Sequence, residues 1–294
     1  MTELESFATY LELRESDETG EALSGLSHSS EGLVLFHVLE LAARGEPRGI
    51  LTIVHDAGDH GGRYMDLAGT LAEEGWAVAL PDLRGHGKSE GARGHSAGRK
   101  EVIRDLDEVF QHLAYRLVGA PKTLIGVGSG ALQGLALCAE KPGLVERLVL
   151  VAPVLEPKHQ LPLVKKGLLG KMLSRVGPTS EGALGLSAAK LTADAEEASA
   201  WSQDELVHDV ITLRAGEEAQ RLAAEADALV AASGLPTLVL MAGSDEVGAS
   251  TWPAAESAAG VEVKTYPGAR HDLFHDVGRG EVIKDLCEWL SSTA

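Results

Sequence analysis

Three groups of residues in this chain have the types and spacing that chemistry needs. The first is the run Leu124-Ile125-Gly126-Val127-Gly128-Ser129-Gly130-Ala131-Leu132, an apolar stretch broken by glycines at alternate positions, with one hydroxyl among them. A serine hydroxyl attacks a carbonyl once a histidine takes its proton and a carboxylate fixes that histidine's tautomer, and such a serine sits in Gly-x-Ser-x-Gly on a sharp strand-to-helix turn. Here the glycines at 126 and 130 bracket Gly128, and Ser129 lies one place further on. The second group is His271, Asp272, His275 and Asp276, whose four-residue histidine spacing suits a metal ion, although no third ligand cluster accompanies it. The third is Lys158, Lys165, Lys166, Lys171 and Arg175, interleaved with Leu161, Leu163, Val164, Leu168, Leu169, Met172 and Leu173 and free of acidic residues. A basic, apolar helix of this kind either rests on an anionic membrane surface or packs as a lid on its own pocket, and the lid is the plainer reading.

These groups must be held by regular elements, and the chain alternates strand-like with helix-like patterns from Gly32 onward. Ile50-Leu51-Thr52-Ile53-Val54, Ala77-Val78-Ala79-Leu80, Thr123-Leu124-Ile125, Leu148-Val149-Leu150-Val151 and Thr237-Leu238-Val239-Leu240 are short apolar runs, as expected of parallel strands covered on both faces. Val34, Phe36 and Val38 alternate as in a half-buried strand. Val102, Ile103, Leu106, Val109, Phe110, Leu113 and Leu117 recur at helical spacing, as do Val282, Ile283, Leu286, Trp289 and Leu290. The pattern predicts an α/β fold with a mainly parallel sheet flanked by helices and its chemistry at the carboxyl ends of the strands. Residues 1–31 are polar and acidic and read as a loosely attached arm, leaving 32–294 as one domain. Within it, residues 154–214 show no clear strand and read as a helical cap insertion over the site.

Four stretches resemble one family in order. Val54-His55-Asp56-Ala57-Gly58-Asp59-His60-Gly61-Gly62-Arg63-Tyr64 is similar to a His-Gly-x-Gly-Glu-His-x-x-Arg-Tyr loop, and Pro81-Asp82-Leu83-Arg84-Gly85-His86-Gly87-Lys88-Ser89 follows, with Gly91, Arg93, Gly94 and His95 beyond it. Leu240-Met241-Ala242-Gly243-Ser244-Asp245 resembles a strand end that delivers an acid, and Tyr266-Pro267-Gly268-Ala269-Arg270-His271 a loop that delivers a histidine. Together they resemble the α/β-hydrolases of the monoglyceride lipase and lysophospholipase-like (serine aminopeptidase S33-type) family from about Gly32 to Leu290. The resemblance implies hydrolysis of a carboxylic ester, without a cofactor or metal, on a small acyl ester or fatty acid ligand. It assigns Asp245 as the acid, His271 as the base, and the backbone N–H groups of Ala57 and Ser129 as oxyanion donors. The same alignment puts Gly128 where the nucleophilic serine belongs. Shifting the register to make Ser129 the nucleophile would put Val127 where a small residue is needed.

A second departure lies in the oxyanion loop, where Asp56 stands in place of the family's glycine. Facing the hole, that carboxylate opposes a developing oxyanion by roughly 4 kcal/mol at about 4 Å separation and an effective dielectric near 20. Otherwise it points to solvent or pairs with Arg84. Asp82, Arg84, His55, His86 and His95 read as braces of the loops rather than catalysts. The expectation is an impaired or inactive hydrolase that still binds an acyl ligand. The alternatives are a working esterase using Ser129 or a water activated by His271, and a protein-interaction scaffold. The formal net charge of −18 argues against a nucleic-acid partner. No apolar run spans a bilayer and the N-terminus lacks a secretion signal, so a cytoplasmic protein is expected, with membrane contact limited to the cap. Cys138 and Cys287 both fall in helical patterns and read as buried thiols rather than a disulfide.

Overall fold

The computed structural model describes residues 24–29, 32–96, 98–161 and 179–292. In chain order the elements are β1 (Ser24–Ser29), β2 (Gly32–Leu41), β3 (Ile50–Val54), α1 (Met65–Glu73), β4 (Ala77–Pro81), α2 (Arg99–Arg116), β5 (Lys122–Val127) and α3 (Ser129–Glu140). There follow β6 (Arg147–Val151), β7 (Glu181–Ala183), α4 (Ala188–Leu191), α5 (Ala195–Gln203), β8 (Val210–Thr212), α6 (Leu213–Ala232), β9 (Thr237–Ala242), α7 (Pro253–Glu256), β10 (Val261–Tyr266) and α8 (Arg279–Ser292). Eight strands form one sheet in the order β1-β2-β4-β3-β5-β6-β9-β10. From β4 to β10 every pairing is parallel, and β1 and β2 add an antiparallel hairpin at one edge. This is an α/β-hydrolase fold.

The apolar runs are continuous because both faces of the sheet are covered. In β6, Val149 and Val151 pack into the core beneath α1 and α8, while Leu148 and Leu150 pack under α2, α3 and α6. The helical periodicity resolves the same way: Ile103, Leu106 and Phe110 of α2 join the second core, and Val282, Leu286, Trp289 and Leu290 of α8 the first. The aromatic side chains gather mainly in the first core, as Tyr64, Trp76, Tyr266, Phe274 and Trp289, while close packing of Leu, Val and Ala carries most of the second.

Three expectations change. Ser24–Ser29, in the stretch expected to be an arm, forms β1, paired in register with β2 from Ser24–His37 to Ser29–Gly32. The insertion, expected to lack strands, contains an antiparallel pair, β7 with β8, besides α4 and α5. Its hydrogen bonds to the core make it part of the site: His208 N–H donates to Gly58 O (2.9 Å), Thr212 N–H to Gly94 O (3.1 Å) and Asp272 N–H to Leu191 O (2.9 Å). The cysteines are half-buried free thiols, and burial pushes the Cys138 thiol up to about 12. Most of the basic, apolar segment, residues 162–178, lies outside the described residues, as does most of the expected arm.

The turn from β5 into α3 depends on close approach. A Cβ on Gly126 would lie 2.5 Å from Ala131 Cα, and one on Gly130 would lie 2.4 Å from the carbonyl oxygen of Val54. Strand, turn and helix are therefore pressed against β3 at the point where the site forms. Gly130→Ala must push β3 and α3 apart. The expected outcome is a loss of roughly 1–3 kcal/mol, read as a lower midpoint in urea unfolding with an unchanged slope.

Candidate functional site

Four loops at the carboxyl ends of the parallel strands converge here, as the topology of such sheets dictates. The loop after β3 carries Asp56 and Ala57, the turn after β5 carries Gly128 and Ser129, the loop after β9 carries Asp245, and the loop after β10 carries His271. Gly128 holds φ 56° and ψ −116°, with Ser129 as the first residue of α3. That is a left-handed conformation that glycine adopts at least cost. Its N–H donates to Val151 O (2.8 Å), anchoring the turn to β6.

Asp56 faces inward. Its Oδ1 accepts from the backbone N–H of Ser129 (2.6 Å) and of Ala57 (2.7 Å), while its Oδ2 lies 3.0 Å from His271 Nε2. Ala57 N–H also reaches Ser129 Oγ (2.8 Å). On the far side of the ring, His271 Nδ1 lies 2.8 Å from Asp245 Oδ2. Asp245 Oδ1 is fixed in turn by the N–H groups of Val247 and Gly248, each at 2.8 Å. The alternative partner for Asp56 is occupied elsewhere, since Arg84 makes a two-pronged pair with Asp105 on α2 at 2.8 and 3.0 Å.

Gly128 and Asp56 share one space. A Cβ built on residue 128 would sit 2.1 Å from Asp56 Cγ and 2.3 and 2.4 Å from its two oxygens. The carboxylate therefore fills the volume into which a side chain at 128 would project.

Two carboxylates on one buried ring decide its charge. Burial alone would lower the His271 pKa, but the hydrogen bonds and charges of Asp245 and Asp56 outweigh it and raise the pKa to about 10. The imidazole is thus an imidazolium near neutrality, donating from both nitrogens. Burial likewise pushes the Asp56 carboxyl up, yet His271 and the bonds from Ser129 hold it below its ordinary value. Asp56 and His271 form a buried ion pair with every charged atom answered, which is the condition for such a pair to persist.

The surrounding loops are braced as expected. His55 Nε2 accepts from Leu83 N–H (2.8 Å), so its Nδ1–H donates to Asp56 O (2.7 Å). Asp82 accepts from Gly61 and Lys88 N–H at 2.7 and 2.8 Å, and its pKa falls to about 2 because these bonds and the neighbouring histidines outweigh burial. His95 Nδ1 meets Thr212 Oγ1 of the insertion (2.9 Å). His86 is only half satisfied: Nδ1 lies 3.0 Å from Arg84 O, and its buried Nε2 has no partner among the described residues. The histidine–aspartate run after β10 is tied up separately. His275 lies between Asp272 Oδ1 (2.8 Å) and Arg63 O (2.9 Å), Arg63 bonds Asp272 (2.9 Å), and Asp276 accepts from Arg270 and Ala193 N–H. Among the described residues, no group of three or more His, Cys, Asp or Glu side chains is placed to hold a metal.

Sequence reasoning did not foresee the Val247 and Gly248 donors, or the bond from His60 to Asp204 of the insertion (2.8 Å). Backbone donors leave no mark in side-chain identity, and Asp204 is one of several acids in the second half of the insertion. A mainly apolar cavity opens on the site from beneath the insertion, lined among others by Asp56, Leu132, Val154, Leu184, Ile211 and Leu222. A second, smaller recess touches Asp56, Tyr64, Trp201 and His271.

The profile of the serine aminopeptidase S33 family matches residues 45–278, and the chain belongs to that family. It is 27% identical to the monoacylglycerol lipase of Mycolicibacterium smegmatis, over 84% of this chain and 89% of that one. It is 25% identical to the monoglyceride lipase of Rattus norvegicus, over 84% of each. The solved monoacylglycerol lipase of Paleococcus ferrophilus superposes with a TM-score of 0.76 at 25% identity, covering 88% of this chain and 99% of that one. A monoglyceride lipase from Saccharomyces cerevisiae, solved with a substrate analogue, shares the fold at a TM-score of 0.79 and 16% identity, covering 95% and 98%. Among the described residues, no helix is long and apolar enough to cross a membrane.

The ion pair is one source of the pH dependence of stability. His271 is raised from 6.5 to about 10 in the folded chain, so its contribution is complete below pH 6.5 and is lost as pH rises through 10. Asp56 is lowered from 3.8, so its contribution holds above that value and is lost as pH falls through its folded pKa. The melting temperature should therefore decline from neutral to alkaline pH. Asp56→Asn removes one of the two charges on the ring, so the alkaline decline should shrink. Nitrogen NMR of the His271 ring at pH 8 should show both nitrogens protonated in the parent protein.

Proposed function

We propose that Gly128 occupies the nucleophile position of this family and that the chain has given up serine-dependent ester hydrolysis while keeping an acyl-binding cavity beneath its cap, residues 154–214. The observation that carries this reading is the Asp56 carboxylate bound in the pocket of two N–H groups. Those donors, Ala57 and Ser129, are the groups that would stabilise a tetrahedral oxyanion, and here both already bond Asp56 Oδ1. Electrostatic stabilisation of that oxyanion is usually the largest single contribution to acyl transfer, so a site with its donors taken loses more than its nucleophile.

The two active-esterase alternatives fit less well. Ser129 Oγ lies against Ala57 N–H, and the His271 nitrogen a serine would need faces Asp56 instead. A His271-activated water requires a neutral ring, and with both carboxylates charged the ring holds its proton up to about pH 10. The binding role rests on the apolar cavity. Each buried methylene contributes roughly 0.8 kcal/mol, so a long chain in such walls suffices for stable binding. The ligand classes named for the lipid-cleaving relatives fit the same cavity chemistry.

A fluorophosphonate that reacts with activated serines should leave the protein unlabelled, and stoichiometric labelling at Ser129 would overturn the reading. Long-chain monoacylglycerol should raise the melting temperature saturably. No shift at any chain length would favour a scaffold role instead. Repair needs two changes. Gly128→Ser alone collides with Asp56 and should show no gain in turnover of a short-chain aryl ester. The double change Gly128→Ser with Asp56→Gly clears the donors, frees His271 and should show turnover, lost again on adding His271→Ala. A folded double variant no faster than the parent would sink the proposed geometry.

A further inference from the structure

The arrangement around Asp56 is more than a plug. One carboxylate oxygen sits on two backbone donors, the other sits beside a histidine that a second carboxylate orients, and the group borders the apolar cavity. An oxygen held this way has the position of an attacking atom, with the base that would discharge a covalent intermediate already beside it. We propose that Asp56 is itself a nucleophile, carried on the loop after β3 instead of the turn after β5, and that the protein opens aliphatic epoxides to vicinal diols.

The chemistry selects the substrate class. A carboxylate attacking an ester carbonyl would form an anhydride and expel an alkoxide, which runs uphill. Attack at a saturated carbon of a strained ring forms a stable alkyl ester. Ring opening leaves an alkoxide that needs a proton, and backside attack carries that oxygen away from the nucleophile. The His271 imidazolium, 3.0 Å from the attacking oxygen, therefore supplies the proton through a water between them. The apolar walls of Leu132, Val154, Leu184 and Ile211 match a hydrocarbon tail on that epoxide.

The steps balance. A lone pair on Asp56 Oδ2 attacks one epoxide carbon, the ring C–O bond breaks toward oxygen, and that oxygen takes the Nε2 proton of His271 through the intervening water. The product is a hydroxyalkyl ester of Asp56 and a neutral imidazole. Esterification removes the Asp56 charge, one of the two that held His271 protonated, so the ring becomes a base only after the first step has occurred. His271 then takes a proton from water, and the hydroxide adds to Asp56 Cγ. The negative charge collects on Oδ1, where the Ala57 and Ser129 N–H groups already point. Collapse breaks the Cγ–Oδ2 bond, and Oδ2 takes the proton from His271 and leaves as the second hydroxyl of the diol, while the oxygen from water stays on Asp56. The new carboxylic acid returns its proton to His271, restoring the ion pair. The small recess that touches both Asp56 and His271 is the place for that water.

The test uses the full chain with epoxydodecane, followed by mass spectrometry of diol and protein. The expected result is diol formation, abolished by Asp56→Asn, whose near-identical shape keeps the fold. In a single turnover, with protein in excess and heavy-oxygen water, the diol should be unlabelled and the label should appear in the peptide containing Asp56. Absence of diol from the folded parent protein overturns the proposal, as does a labelled diol with Asp56 unlabelled, which would mean direct attack by water. This outcome is separable from the acyl-binding reading: a protein whose melting temperature rises with monoacylglycerol but which leaves the epoxide closed keeps the binding role and loses this one.

Discussion

The carboxylate of Asp56 is the charge around which this site is organised. A buried carboxylate is tolerated only when its lone pairs are met, and here two backbone N–H groups and one imidazolium meet them. Each partner is itself fixed by the fold. Ser129 N–H points inward because it opens α3, Ala57 N–H because His55 locks the loop after β3 to Leu83, and His271 because Asp245 is held by Val247 and Gly248. Removing the charge leaves two aligned donors and a histidine with one partner; removing the histidine leaves a carboxylate short of a cation. The three loops are therefore coupled through one group.

Rigidity around that group has a clear origin. The parallel strands end together, so their following loops meet with little freedom, and the close contact of Gly126 and Gly130 with neighbouring backbone presses the turn after β5 onto β3. The insertion closes the other side through the His208, Thr212 and Asp272 backbone bonds and the Asp276 carboxylate, which joins the loop after β10 to Ala193. A separate lattice of Arg63, Asp272 and His275 stiffens the base of the same loop. Catalytic geometry of any kind needs such support, because misplacement by an ångström costs orders of magnitude in rate.

Much of this fold was legible from residues alone, for a physical reason. Strands covered on both faces must be apolar throughout, and Leu148 to Val151 or Thr237 to Leu240 announce themselves in that way. The edge strand Ser24–Ser29 does not: an edge hairpin is stabilised largely by backbone pairing, which a sequence rich in serine does not advertise. Likewise β7 and β8, at three residues each, fall below the length at which alternation is recognisable. In the site, local motifs marked the loops of Asp245 and His271 and the turn at Gly128 as neighbours, and the 2.8 Å contact between Asp245 and His271 joins the first two. The direction of Asp56 was not readable, because it depends on where Arg84 goes. That guanidinium is taken by Asp105, in the second turn of the following helix, and long-range pairing of this kind has no local signature. The four-residue histidine spacing after β10 suggested a metal for the opposite reason: a local pattern that the structure spends on two separate carboxylate pairs.

On the proposed reading of this site, residues 56 and 128 are best understood together. Each alone creates a conflict: a side chain at 128 with Asp56 inward puts a carbon 2.1 Å from the carboxyl carbon, and a glycine at both positions takes from His271 Nε2 the Asp56 oxygen it meets at 3.0 Å. Together they are compatible. Glycine at 128 admits the carboxylate and accepts φ 56° without strain, and the carboxylate answers the donors and the ring that a hydroxyl and its oxyanion would otherwise answer. A simple loss of the nucleophile would relieve the first requirement and leave the second unmet. The second is met here, by an oxygen with a histidine and two backbone donors around it, and that makes the carboxylate the group to test.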